Sequence, residues 1–152
     1  MPFKINISTK EGKTYHLETE SEAPIGKELN EKIQGKEISP ELNEYEFEIT
    51  GASDKAGFTV MKDVEGSALK KVLLTYGKAM HKRSRREGKK KRSSLKPKGL
   101  RLRKTVRGRT ISPEIAQINL KVLKIGSKKL SEIFPEQNQK KAEKPAETEQ
   151  AE

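Results

Sequence analysis

The chain has 152 residues, of which 31% are apolar and 36% charged; compact soluble domains usually reach about 45–50% apolar, counting Gly, and about 25% charged. So small an apolar share predicts a small core, with part of the chain outside it. Lys and Arg outnumber Asp and Glu 33 to 22, no run nears the ~18 consecutive apolar residues that span a bilayer, the start lacks a signal-peptide core, and the absence of Cys excludes disulfides, thiolate catalysis and zinc fingers, so a cytosolic compartment is expected.

Phe3, Ile5 and Ile7 alternate with Lys4, Asn6 and Ser8, the period-two signature of a half-buried strand. Lys10–Lys13 reads as a turn, and Thr14–Leu17 as the returning strand of a hairpin, with Tyr15 and Leu17 on one face. In Pro24–Glu37 a helical stripe of Ile25, Leu29 and Ile33 is broken by Gly26 and Gly35. This predicts a helical turn or two, then a strand around Lys36–Ile38. Tyr45, Phe47 and Ile49 alternate with Glu44, Glu46, Glu48 and Thr50, the clearest strand in the chain. Gly51–Gly57 reads as a glycine-bracketed loop, with Phe58 and Val60 opening a further strand. Leu69–Thr75 is expected to be a short buried strand or helical turn. Lys78–Lys98 is polar and reads as an extended loop or arm. Thr105–Ile111 resumes a strand-like pattern with a bulge at Gly108. Ile118, Leu120 and Val122 mark another half-buried strand, and Ser131–Phe134 one helical turn. From Pro135 onward the chain has too little apolar surface to offset its ordering entropy, so residues 135–152 are expected to be a disordered, charged tail. Six or seven short strands with little helix predict a mainly β fold: a small antiparallel β-barrel-like domain over residues 1–134, closed or nearly so. The basic arm is an excursion from that core.

The charge is unevenly placed. Residues 1–66 carry a net −6, residues 67–134 a net +19, and residues 135–152 a net −2. Lys78–Arg109 holds 16 Lys and Arg among 32 residues and a single acid, Glu87. Solubility needs only a modest net charge of mixed signs. Repulsion on this scale opposes compaction until a polyanion relieves it. Enzymatic chemistry finds little support. The only histidines are His16 and His81, and the only aspartates Asp54 and Asp63. No Cys–His or Ser–His–Asp set is indicated, no patterned oxygen loop for a metal, and no phosphate-cradling glycine fingerprint. No enzyme activity, cofactor, metal or small-molecule substrate is therefore expected. The arm also lacks the apolar face of a membrane-surface helix.

What the basic region does match is polyphosphate binding. Each cation near a phosphate releases condensed counterions, and arginine can fork onto two phosphate oxygens. The candidate contacts are Lys82, Arg83, Arg85, Arg86, Lys89, Lys90, Lys91 and Arg92 in the arm. They continue with Lys98, Arg101, Arg103, Lys104, Arg107 and Arg109, and with Lys55 in the glycine loop. The alternation of Arg101, Leu102 and Arg103 predicts guanidinium groups on one side of a strand and Leu100 and Leu102 turned inward. Tyr76 is the only aromatic ring between Phe58 and Phe134, so no base-stacking platform exists there. The expected partner is a folded, duplex-rich RNA or duplex DNA, read by backbone and shape. No helix-turn-helix, basic zipper or zinc pattern favours DNA.

Two segments resemble a known family. Ile49–Phe58 with Met61 resembles the first signature of the ribosomal protein S-six-e family, and Lys98–Gly108 its second. Thr110–Ser112 and Ile118–Lys124 continue the likeness, which covers residues 1–134. The resemblance implies a β-barrel-like, non-catalytic protein bound to small-subunit ribosomal RNA in the cytoplasm beside neighbouring ribosomal proteins. It also implies that Lys98–Arg109 and the Gly51–Phe58 loop lie near RNA. Ala52 stands where a second glycine is usual, Thr59–Met61 where a Pro-Met pair is usual, and the arm is longer and more basic. The short acidic tail resembles archaeal members. The alternative reading is a free-standing nucleic-acid chaperone or chromatin-like packing protein using the same arm.

Overall fold

The structure, a computed structural model, describes residues 2–81, 99–135 and 137. Seven strands and two single-turn helices occur among them: β1 Phe3–Ser8, β2 Thr14–Thr19, β3 Lys32–Gln34, α1 Gly35–Ile38, β4 Glu46–Asp54, β5 Leu69–Thr75, β6 Arg101–Arg107, β7 Ile115–Lys124 and α2 Leu130–Ile133. A 3-10 turn spans Pro40–Leu42. Strands β2, β1, β7, β4 and β3 form one sheet in that order; β5 and β6 form a separate antiparallel ribbon.

Alternation in the sequence becomes a one-sided core. Ile5 lies opposite Leu17 on β2 and Ile118 on β7, Ile7 opposite Tyr15 and Leu120, and Phe47 and Ile49 opposite Val122 and Leu120. Apart from Leu17, which is half-buried, all of these are buried in one cluster, each worth about 1.5–3 kcal/mol relative to exposure. The register shifts between Ile49 and Gly51. This bulge turns Ala52 back to the core face, opposite Ile118, and carries β4 on to Asp54. Non-strand residues Leu29, Ile38, Leu42, Tyr45, Ile111 and Leu130 cover the face.

The mainly β architecture agrees with the sequence, while several finer expectations differ. The sheet is mixed, because β1 and β7 run parallel, and it does not close, because β2 and β3 remain its two edges. Alternation specifies which face a residue takes, not which strand it pairs with. Around residues 24–38 the order is reversed: a strand, Lys32–Gln34, precedes the helical turn Gly35–Ile38. Ile33 pairs with Phe47, and Gly35 is required because a Cβ there would lie 2.1 Å from the Leu42 carbonyl oxygen. The expected Gly51–Gly57 loop shrinks to a turn at its end, and Phe58–Val60 gives isolated bridges rather than a strand. β5 is a strand but not a buried one: Leu73 is 56% exposed. The bulge expected at Gly108 is instead a close approach of two backbones, with Gly66 O 1.9 Å from where a Cβ would sit.

Residues 59–61 join ribbon to sheet. Val60 N–H donates to Ala52 O on β4 (2.9 Å), Arg107 N–H to Thr59 O (3.0 Å) and Met61 N–H to Arg107 O (3.0 Å). Past β6, Arg109 N–H donates to Val64 O (2.7 Å) and Ile111 N–H to Lys27 O (2.9 Å). The second signature is thereby laced to the core on both sides. At the other chain end Phe134 packs against Tyr15, ring centroids 5.9 Å apart. Gln137, inside the segment expected to form the tail, hydrogen-bonds both His16 backbone groups; residues 136 and 138–152 lie outside the described set.

Candidate nucleic-acid interface

Opposed residues on the ribbon share a side. Thr75 faces Arg101, Leu73 faces Arg103 and Lys71 faces Thr105; Val72 faces Lys104 and Leu74 faces Leu102 on the reverse. Arg101, Arg103 and Lys104 are exposed, while Leu102 and Leu100 are half-buried, the arrangement the alternation predicts. Leu69 and Leu73 are exposed among these cations. The aliphatic groups that gave β5 its buried look therefore form part of an outer surface.

The turn after β4 comes to this ribbon. Ala56, Gly57, Phe58 and Thr59 line a shallow cleft of about 350 Å³ together with Arg103, Lys104 and Thr105. The two signature segments are thus neighbours in space. Gly57 takes φ +83°, open to glycine without strain, and closes the turn through Gly57 N–H donating to Asp54 O (2.9 Å). Lys55 is exposed on that turn.

Arg107 departs from the expected set of phosphate contacts. It is buried, 6% exposed. Its Nε and Nη2 donate to Asp54 Oδ2 (2.8 and 2.7 Å), its Nη1 to Ser67 O (3.2 Å), and Nη2 also meets the Glu114 carboxylate. Burial opposes ionisation of both partners, but their mutual hydrogen bonds and charge win: Asp54 is held below the usual carboxylate range and Arg107 is raised above its ordinary value. Two carboxylates already neutralise this guanidinium, so it ties the first signature to the second and is not offered to an anion. Arg109 is half-exposed with its Nε 3.0 Å from Glu28 Oε1, and is partly neutralised in the same way.

The root of the arm is more ordered than its composition suggests. Gly77 and Met80 bridge each other, with Ala79 at φ +65°. Met80, the one large apolar side chain there, is fully buried. Tyr76 and His81 meet edge to face, centroids 5.9 Å apart. Lys78 Nζ donates to Thr50 O (3.2 Å), which ties the root to β4. Lys82, Arg83, Arg85, Arg86, Lys89, Lys90, Lys91, Arg92 and Lys98 lie outside the described residues. Among the described residues no three His, Asp or Glu side chains gather as a metal site, and no helix is long and apolar enough to cross a membrane.

The model for ribosomal protein S6e matches residues 3–135. The chain belongs to the ribosomal protein S6e family. That family consists of ribosomal structural proteins and is not an enzyme class. The chain is 42% identical over 128 residues to the small ribosomal subunit protein eS6 of Methanococcus maripaludis strain C7, covering 84% of this chain and 91% of that protein. It is 38% identical to the Methanosphaera stadtmanae protein of the same name, over 94% of this chain and all of that protein. The Nanoarchaeum equitans protein of that name is also 38% identical, over 88% and 90%.

Proposed function

We propose that this chain is a structural constituent of the small ribosomal subunit, that it acts in the cytoplasm, and that it binds ribosomal RNA through its Lys/Arg-rich region without catalysis. The observation that carries the proposal is the meeting of the two signature segments. The Ala56–Thr59 turn and the exposed cations Arg103 and Lys104 border one cleft, and the Lys78–Arg109 stretch holds 16 of the chain's 33 Lys and Arg. Lys82, Arg83, Arg85, Arg86, Lys89, Lys90, Lys91, Arg92 and Lys98 extend the contact, with Lys55, Arg101, Arg103 and Lys104 on the ribbon and turn. Arg109 contributes at the margin, and Arg107 anchors the end of the ribbon to Asp54. Neutralising phosphates lets RNA helices approach one another, which is the contribution to assembly and translation. The aliphatic groups of Leu69 and Leu73 suit the sugar edges of a shallow minor groove, which is where duplex RNA exposes contact surface.

The test is sedimentation of small subunits from cells carrying a tagged copy. Stoichiometric association that survives high salt supports the proposal. Loss in moderate salt, with tight binding to free RNA or DNA, favours the chaperone alternative and defeats it.

A further inference from the structure

The far end of the sheet carries a second surface. β7 runs ten residues from Ile115, beside Asp54, to Lys124, which separates its two ends by about 30 Å at strand rise. The ribbon and the signature turn join at the Ile115 end. At the Lys124 end, the β1–β2 turn, the exit of β7 and the start of α2 enclose a groove of about 530 Å³, within the range of ligand-binding clefts.

Its floor is apolar: Tyr15, Tyr45, Val122, Leu123 and Leu130 line it. Ile125, 69% exposed, stands at its edge. Its rim is cationic. Lys10, Lys13, Lys124 and Lys129 surround it with one acid, Glu11. Glu11 lies 3.7 Å from Lys13, and Lys10, Lys124 and Lys129 have no ion pair among the described residues. The walls are fixed: the Tyr45 hydroxyl donates to Lys128 O, and Ser127 Oγ to the Glu44 carboxylate.

We propose that this groove docks an acidic segment of a neighbouring ribosomal protein, one that inserts one or two bulky aliphatic side chains between flanking Asp or Glu residues. The inference rests on the ribosomal placement proposed above and adds a second, protein-facing contact. Charge complementarity selects the acidic flanks, and the apolar floor selects the anchors. RNA fits less well. The groove lining has no arginine, and Tyr15 and Tyr45 are 3% and 2% exposed, leaving no ring face for a base to stack on. The chain's own residues 138–152 carry a net −1 but hold no Val, Leu, Ile, Met or aromatic residue to serve as an anchor.

The experiment uses full-length protein assembled into small subunits. Ile125 is replaced by photoreactive p-benzoylphenylalanine, irradiated, and the cross-linked peptide sequenced. A second sample carries Leu73→p-benzoylphenylalanine on the ribbon, and a third adds Lys124→Glu and Lys129→Glu to the Ile125 probe. The expected result is a single protein cross-link at 125, to a peptide with carboxylates flanking Leu, Ile, Met or Phe. Its yield should fall at least about fivefold on charge reversal, the scale of exposed charge pairs. Cross-linking at 125 to RNA, to residues 138–152, to a peptide without carboxylates or to nothing overturns the proposal, as does a yield indifferent to charge reversal. An RNA cross-link at 73 with failure at 125 removes the docking surface and leaves the RNA reading standing. Absence of the protein from the particles removes both.

Discussion

The five-stranded sheet and the β5–β6 ribbon are both built from paired strands, yet they use alternate positions in opposite ways. In β1 every second residue is a buried aliphatic or aromatic group, as are Phe47 and Ile49 of β4 and Ile118, Leu120 and Val122 of β7. In β5 and β6 only Val106 and Arg107 are buried, and the remaining positions carry exposed or half-exposed Leu, Val, Thr, Lys and Arg. The sheet stabilises itself. The ribbon borrows stability at one end, through residues 59–61 and the Asp54–Arg107 pair, and the rest of its surface is exposed or half-exposed. Substitutions should therefore separate the two regions, with stability lost in one and binding lost in the other.

The largest loss is expected in the sheet. Ile49→Ala empties a fully buried site and should cost about 2–5 kcal/mol in urea unfolding, while the fraction that remains folded binds RNA normally. A cost under about 1 kcal/mol would mean that the sheet does not carry the fold. Next comes the clasp between regions. Arg107→Ala strands a buried carboxylate and should cost about 3 kcal/mol, whereas Glu114→Ala, on the solvent side of the pair, should cost about 0–1 kcal/mol. Equal costs would place the clasp elsewhere.

The clasp also has a pH signature. Because the folded-state carboxyl of Asp54 is depressed, its stabilisation is complete above the unfolded value of about 3.9. It is lost as pH falls through the folded value. Asp54→Asn should therefore destabilise the protein at neutral pH, and the difference from the unaltered protein should narrow in acid melts. A gap that widens in acid contradicts the pairing. The smallest stability effect belongs to the ribbon. Arg101→Ala, Arg103→Ala and Lys104→Ala should each stay within about 0.5 kcal/mol. Together they should flatten the slope of log affinity against log salt by about two to three, near 0.9 for each lost phosphate contact. An unchanged slope would exclude the ribbon from the interface.

Much of the sheet was legible because burial imposes a local period. Phe3, Ile5 and Ile7, or Tyr45, Phe47 and Ile49, announce a strand and its inner face without help from the rest of the chain. What was not legible depended on distant partners. The parallel pairing of β1 with β7 joins residues more than a hundred positions apart. The stripe Ile25, Leu29, Ile33 has helical spacing by coincidence, since Asn30 at φ +68° breaks any helix there and Ile33 serves Phe47. On the ribbon, the exposure of Arg101 and Arg103 could be read directly. The separate fate of Arg107 could not, because nothing in Thr105–Gly108 reveals an aspartate 53 residues earlier. Asp54 is one of only two aspartates in the chain; that rarity, and its place in the first signature, was the available clue. Met80 was hidden for the opposite reason, as one anchor in a stretch whose composition reads as solvated.

Gln137 has a consequence for β2, one of the two edge strands of the sheet. Its side-chain amide accepts from His16 N–H (2.7 Å) and donates to His16 O (2.8 Å), the two-bond exchange that an incoming strand would make. A bare strand margin is a template for self-association. One glutamine here acts as a stopper in the middle of that margin, so a chain cut short before residue 137 would leave it open to self-templated clumping before any ribosome is met.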